Sequence, residues 1–262
     1  MIIDTHAHLN FKAYKDDLSE TIKRSLDNNI WLINVGSEFE TSEKAIKIAE
    51  KYDQGVYASI GLHPIHVQNE FNYPNKVKGQ EEIHLFAYQQ YKKLAQNQKV
   101  VAIGETGLDF KKEYLFLKEK QIQVFLNHLK LAKELDLPII FHCRLAHQEV
   151  IEILKKQEKR QGVIHCFTGD WTAAEEYLKI GLYLGFNGII FKLNLDETIK
   201  KTPLDRILVE TDCPFLSPLG AKSRNEPIFV KHVIEKIAQV KGKTFQEIAD
   251  QTTDNARKLF RI

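Results

Sequence analysis

Short apolar, β-branched runs recur along this chain, at residues 2–5, 31–35, 56–60, 100–104, 138–142, 163–166, 182–186 and 206–210. Each reads as a strand, and the punctuation agrees: Gly36, Gly61 and Gly104 stand where runs end, and Pro138 opens one. The runs are nearly continuous in apolar character, as parallel strands buried on both faces should be. Between them the period changes to 3.6 residues. In residues 114–135, Leu115, Leu117, Ile122, Phe125, Leu129, Leu131 and Leu135 fall mostly on one face, with Lys and Gln opposite. Segments 81–94, 146–156, 172–180 and 228–240 repeat the pattern, and the polar residues 67–80, with Pro74 and Gly79, read as a loop. Eight strand–helix alternations predict a single α/β domain, residues 1–262, folded as a (β/α)8 TIM barrel. An open doubly wound sheet fits less well. No glycine-rich fingerprint follows the first run; His6-Ala7-His8 stands there instead.

The polar residues at the run ends carry the chemistry. His6 and His8 are two apart on a predicted strand, so both imidazoles project from one face. Alone, such a pair is equally two polar residues in a turn. Position strengthens it: Glu105 follows the fourth run, His142 ends the fifth, His165 lies at the end of the sixth, and Asp212 follows the eighth. Barrel enzymes build their sites at the C-terminal ends of the strands, so these six side chains converge on one rim. Imidazole mixed with carboxylate suits Zn, Mn, Ni or Fe better than Mg. Six donors exceed the needs of one tetrahedral ion, so two divalent ions bridged by Glu105 are expected.

Arg144 lies two residues past His142, on its side of the strand, and reads as a phosphate anchor or as a salt bridge to a loop carboxylate. His63, in Gly61-Leu62-His63-Pro64, follows the third run within reach of the rim, and His66 lies further on. Lys222, Arg224 and Asn225, in the loop after Asp212, offer further phosphate contacts. His84, His128, His147 and His232 sit in helix-like segments and read as surface or packing residues. Cys143, Cys166 and Cys213 each follow a proposed ligand. Adjacent strand residues face opposite ways, so Cys143 and Cys166 are expected to look away from the site as small buried hydrophobes.

Charge and cysteine content narrow the partners. Lys plus Arg number 37 against 35 Asp plus Glu, a net charge of +2, which disfavours an extended duplex-binding surface but allows a small basic pocket for one strand end. Three widely spaced cysteines are no disulfide framework. No stretch approaches the roughly 18 apolar residues of a membrane span, and the start shows no leader, so a cytoplasmic protein with no membrane association and no obligate protein partner is expected.

Taken in order, the motifs resemble the TatD family of metal-dependent deoxyribonucleases, within the amidohydrolase-like barrels. The resemblance runs along nearly the whole chain: residues 4–9 (DTHAHL), 61–64 (GLHP), 103–109 (IGETGLD), 141–144 (FHCR), 165–169 (HCFTG), 209–212 (VETD), 225–227 (NEP) and 253–255 (TDN). It implies a metal-dependent hydrolase barrel with His6, His8, Glu105, His142, His165 and Asp212 as ligands, and 3′-to-5′ exonuclease activity favouring single-stranded DNA. Two departures stand out. Leu145 occupies a position where the family commonly has an acidic or amide residue, and residues 218–225 lack the usual Arg-Gly-Lys pattern. The first bears on a supporting role at that position beside the ligands, the second on substrate contacts rather than on the metal site. The expected mechanism is phosphodiester hydrolysis, with Asp212 orienting or deprotonating a water, Glu105 bridging the ions, and Arg144 and His63 offsetting charge on the phosphate. The alternative is an ester or amide hydrolase using the same metal site, such as a D-aminoacyl-tRNA deacylase; a non-enzymatic scaffold fits an intact ligand set poorly.

Overall fold

The computed structural model describes residues 1–68, 87–157, 161–218 and 224–262. Lys222, His84 and most of the loop expected at 67–80 lie outside these residues. Eight strands form one parallel sheet in sequential order: β1 (Ile2–Ala7), β2 (Ile30–Val35), β3 (Val56–Ile60), β4 (Val100–Asp109), β5 (Ile139–Arg144), β6 (Gly162–Ile164), β7 (Tyr183–Phe186) and β8 (Ile207–Val209). The circle closes where Ala7 bridges to Cys213, with Asp212 N donating to His6 O (2.8 Å) and His8 N to Cys213 O (2.8 Å). This is the expected (β/α)8 barrel.

The surrounding helices are α1 (Leu18–Asp27), α2 (Phe39–Ala49), α3 (Tyr88–Leu94), α4 (Lys118–Leu135), α5 (His147–Lys155), α6 (Trp171–Lys179), α7 (Asp196–Lys201), α8 (Val230–Lys241) and α9 (Phe245–Phe260). Among the described residues no helix is long and apolar enough to cross a membrane. α9 starts at a capping box, Thr244 accepting from Glu247 N (3.2 Å) while the Glu247 carboxylate accepts from Thr244 N (2.8 Å).

Apolar side chains divide by strand parity into two clusters. Ile30, Leu32, Phe141 and Cys143 face outward against the helices. Ile3, Ile33, Val101, Ile140, Val163, Tyr183 and Leu208 pack together near the strands' N-terminal ends with Ala256, Leu259 and Phe260 of α9, which floors the barrel. The C-terminal ends are left for the site.

Two irregularities decide which way the site residues point. The β1–β2 register shifts between Asp4 and Ala7, and the β4–β5 register between Ile103 and Thr106. Each shift inserts one residue and reverses parity. Ile3 therefore faces the interior while Ala7 faces the helices, leaving His6 and His8 directed inward. In β4, Ile103 and Leu108 both face outward, and the shift between them turns Glu105 inward. β4 also runs past Gly104, because Thr106, Gly107, Leu108 and Asp109 pair with Phe141, His142, Cys143 and Arg144. Glu105 thus lies within the strand rather than after it.

Candidate metal centre

At the C-terminal rim a cavity of about 750 Å³ opens over the inward-facing polar residues. Glu105, only 3% exposed, lies at its centre and divides its two oxygens between two groups of imidazoles. Oε2 lies 3.4 Å from His6 Nε2 and 3.7 Å from His8 Nε2. Asp212 Oδ1 approaches the same nitrogens at 3.8 and 3.5 Å, and the two Nε2 atoms are 3.0 Å apart. Oε1 lies 2.9 Å from His142 Nδ1, 3.4 Å from His63 Nε2 and 3.6 Å from His165 Nε2. Metal–nitrogen bonds of about 2.0–2.1 Å place two neighbouring ligands about 3 Å apart, so the donor spacings fit coordination on both sides of Glu105.

Outer partners set the tautomers, and these also fit cations. His8 Nδ1 faces the Val35 carbonyl at 2.9 Å and must carry its proton there, leaving the Nε2 lone pair to the centre. His165 Nδ1 lies 2.8 Å from Glu210 Oε1, close enough for an ion pair though not aligned as a hydrogen bond, which again leaves Nε2 inward. His142 Nε2 meets Asp109 Oδ2 at 3.2 Å, leaving Nδ1 inward. His63 is the opposite case. Its Nδ1 accepts from Ile65 N (3.2 Å), so the neutral ring carries its proton on Nε2 and presents a donor to His142 Nδ1, 3.1 Å away. Burial holds His63 in that neutral form, with its pKa lowered to about 4.

The centre is electronegative. Burial alone would raise the pKa of Glu105, but His63, His165, His6 and His142 hold it well below the ordinary value. Asp212 is likewise kept low against its own burial, chiefly by His8, His165 and His6. Burial works to lower the His165 pKa, yet Glu210 and Glu105 lift it to about 10; a cation held there would take the place of that proton. The buried Glu105 and the partly exposed Asp212, beside imidazoles with inward lone pairs, are a donor set suited to divalent metal.

Asp109 and Glu210 received no role from the sequence, although both stand inside its motifs. Glu210 is fully buried and its Oε1 also accepts from Cys166 N (2.8 Å) and Asn187 Nδ2 (3.0 Å). Below the site, the fully buried Asp4 ties β1 to the end of β8 by accepting from Thr211 N (2.9 Å) and Thr211 Oγ1 (2.6 Å), and burial raises its pKa to about 8. Both roles depend on partners remote in sequence.

The expected substrate contacts divide. Arg144 is exposed at the rim and lines the cavity with His63 and His66. Arg224 is placed elsewhere: its guanidinium bonds Asp17 (2.7 and 2.5 Å), Glu226 (2.9 Å) and Ala13 O (2.8 Å), and stacks 4.5 Å over Tyr14. Asn225 is buried, and its Nδ2 donates to Thr211 O (2.9 Å) and Phe215 O (2.6 Å), bracing the loop that carries Phe215. Cys143 faces away, its Sγ 3.2 Å from His147 Nδ1 and 3.5 Å from Tyr177 OH. Cys166, with a φ of +45°, breaks the strand alternation, and its Sγ lies 3.6 Å from Asn187 Oδ1; both cysteines border the cavity. Apolar side chains complete the walls. Phe11 stacks on the His8 ring at 4.5 Å, and Phe215, 52% exposed, stands edge-on to both.

A family model described as TatD related DNase matches residues 3–261. The chain is 42% identical to an uncharacterized metal-dependent hydrolase, YabD, of Bacillus subtilis, over the full length of both. It is 32% identical, again over both full lengths, to a protein of Erwinia tasmaniensis named 3′-5′ ssDNA/RNA exonuclease TatD. Among solved structures, YJJV, a TatD homologue from Escherichia coli K12, superposes with a TM-score of 0.87 at 29% identity, covering 100% of this chain and 98% of that one.

Proposed function

Because this chain belongs to the TatD family of metal-dependent hydrolases, we propose that it hydrolyses phosphodiester bonds at the ends of single-stranded nucleic acid, working from the 3′ end on DNA. The observation that carries this reading is Glu105, whose two oxygens divide between two imidazole groups beside an exposed arginine. Glu105 would bridge two divalent ions, one held with His6, His8 and Asp212 and the other with His142 and His165. Bound there, the ions supply Lewis-acid polarisation of a phosphoryl oxygen and a water acidified toward neutral pH.

The side chains do the rest. Asp212 sits at the open side of the centre, its side chain 15% exposed, where it orients the attacking water and takes its proton on the carboxylate. Arg144 binds the phosphate through its planar fork. His63 donates from Nε2 toward the charge that develops on the phosphoryl oxygens. Phe11 and Phe215 give unstacked bases an apolar, π-rich wall, which suits a single strand better than a duplex. The free thiols of Cys143, Cys166 and Cys213 accord with a reducing, cytoplasmic setting.

One observation favours the second reading, hydrolysis of an ester or amide such as the D-aminoacyl ester of a tRNA. The cavity walls are largely apolar, and Arg224 and Asn225 are turned away from it. End-labelled single-stranded DNA distinguishes the two. Metal-loaded protein is expected to shorten it stepwise from the 3′ end, and chelated protein and Asp212→Asn to leave it whole. Intact DNA with bound metal verified would sink the phosphodiester reading and send the assay to aminoacyl esters.

A further inference from the structure

Beyond the cavity mouth, the segment that follows β4 carries an exposed aromatic, Phe116, and several cations. Asp109 ends β4 opposite Arg144, and Phe110 N donates to Arg144 O (2.9 Å). Three residues after β4 a 3-10 helix runs from Lys112 to Leu117. Such a helix has three residues per turn, so side chains i and i+3 stand one above the other. Tyr114 and the buried Leu117 share the inner face. The two outer faces carry Lys112 with Leu115, and Glu113 with Phe116. Phe116 is 72% exposed, and Leu145, on the cavity wall, 70%. Glu113 bonds Lys111 Nζ, and Lys111 together with Arg144 holds its carboxyl below the ordinary value. The segment leaves β4 at Phe110, bonded to Arg144, and ends at Lys118, bonded to Glu149 of α5, so the 3-10 helix flanks the turn that carries Arg144 and Leu145.

The charges on this rim are unevenly spent. Lys111 is taken up by Glu113, and Lys118 by Glu149 at 3.2 Å. Among the described residues, Lys112 and Arg144 have no carboxylate within 4.0 Å. An exposed aromatic and a lysine without a carboxylate partner, on a helix that flanks the turn carrying Arg144 and Leu145, have the composition of a single-strand track, where bases stack and phosphates are neutralised.

We propose that this rim is a second subsite for single-stranded nucleic acid: Phe116 stacks a base upstream of the scissile bond, and Lys112 neutralises a phosphate beside it. The subsite rests on the phosphodiester reading above and adds to it a dependence on strand length. A dinucleotide fills the cavity alone, whereas a longer strand also reaches Phe116.

The test is steady-state hydrolysis of dT2 and dT10 by the metal-loaded protein, its Phe116→Ala and Phe116→Trp variants, and Lys112→Gln. For wild type, KM is expected to be lower for dT10 than for dT2. Stacking on one aromatic corresponds to about a 5- to 150-fold effect, so Phe116→Ala should raise KM for dT10 by a factor in that range over its effect on dT2. Phe116→Trp should restore the length dependence. Lys112→Gln should reduce the slope of log KM for dT10 against log salt by about 0.7. Equal KM for dT2 and dT10 in wild type, or a Phe116→Ala penalty equal on both, would overturn the subsite while leaving the phosphodiester reading intact. Turnover of neither oligonucleotide would overturn that reading and the subsite with it. A self-association that Phe116→Ala abolishes, with no length dependence, would assign the face to a second copy of this chain instead.

Discussion

Gly107 lies in β4 directly opposite His142, the residue whose imidazole meets Glu105 at 2.9 Å. A Cβ at this position would stand 2.0 Å from the His142 carbonyl oxygen, with φ at +150°. Ordinary contact begins at 3.4 Å, so in Gly107→Ala the two strands must part or the methyl must displace the peptide of His142. Parting them forfeits the local ladder hydrogen bonds, about 1 kcal/mol each net. The backbone conformation adds about 1–3 kcal/mol for a residue with a side chain. Together these predict a loss of about 3–5 kcal/mol, equivalent to a fall in Tm of about 6–20 °C for a chain of this size. The same displacement carries His142 away from Glu105, so metal content should fall as well. Gly181→Ala is the matched control. Its φ is also positive, at +88°, but nothing lies within 4 Å of the added methyl, so it carries the conformational strain alone, about 1–2 kcal/mol. Urea unfolding of both metal-free variants, with metal content by mass spectrometry after reloading, separates the two contributions. If Gly107→Ala costs no more than Gly181→Ala and keeps its metal, the close approach of β4 to β5 does not hold His142 in place.

Three further outcomes are expected. Glu210→Gln keeps the shape beside His165 but loses the carboxylate that orients it; metal affinity at the His142–His165 side should fall about 10- to 100-fold in a metal titration, with little change at the His6–His8 side. His128 is fully buried between Val124 O (2.8 Å) and Leu62 N (3.1 Å), and burial lowers its pKa from 6.5 to about 4. The unfolded chain therefore takes up a proton that the folded chain refuses, so stability is lost as pH falls from 6.5 toward 4. His128→Gln should lose about 2 kcal/mol less than wild type between pH 7 and 5 in urea unfolding. Arg224→Ala should cost about 1 kcal/mol in the same assay, through Asp17 and Glu226, and change KM for dT2 by less than twofold; a large KM effect would restore Arg224 to the substrate path.

Much of this molecule was legible because its information is local. A run of apolar β-branched residues marks a strand whatever surrounds it, and the eight runs at residues 2–5 to 206–210 match the eight strands observed. His6, His8, His142 and His165 stand at or just past strand ends, a property that proximity in sequence reveals. What remained hidden depends on distant partners. Gly104 reads as a stop, yet β4 continues because β5 supplies its ladder. Neither parity-reversing shift is visible in the pattern, and without the second Glu105 would face the helices. Asp109 and Glu210 gain meaning only once His142 and His165 are beside them. Arg224 was misplaced because a loop cation was expected to seek phosphate, whereas Asp17, 207 positions earlier, lies within 2.7 Å.

The barrel floor also bears on the time course of synthesis. α9 is the last helix in chain order, yet its residues pack beneath the first strand, and Thr253 Oγ1 donates to Met1 O at 3.0 Å across 252 positions. While the ribosome is still adding the helices, Ile3, Ile33, Val101, Ile140 and Leu208 have no cover at that end. At about 5–20 residues per second, the stretch from the end of β8 to the end of α9 takes about 3–10 s to make, and for that time the barrel lacks its floor. For that interval the interior apolar residues face water from below, and Leu259 and Phe260 are what cover them.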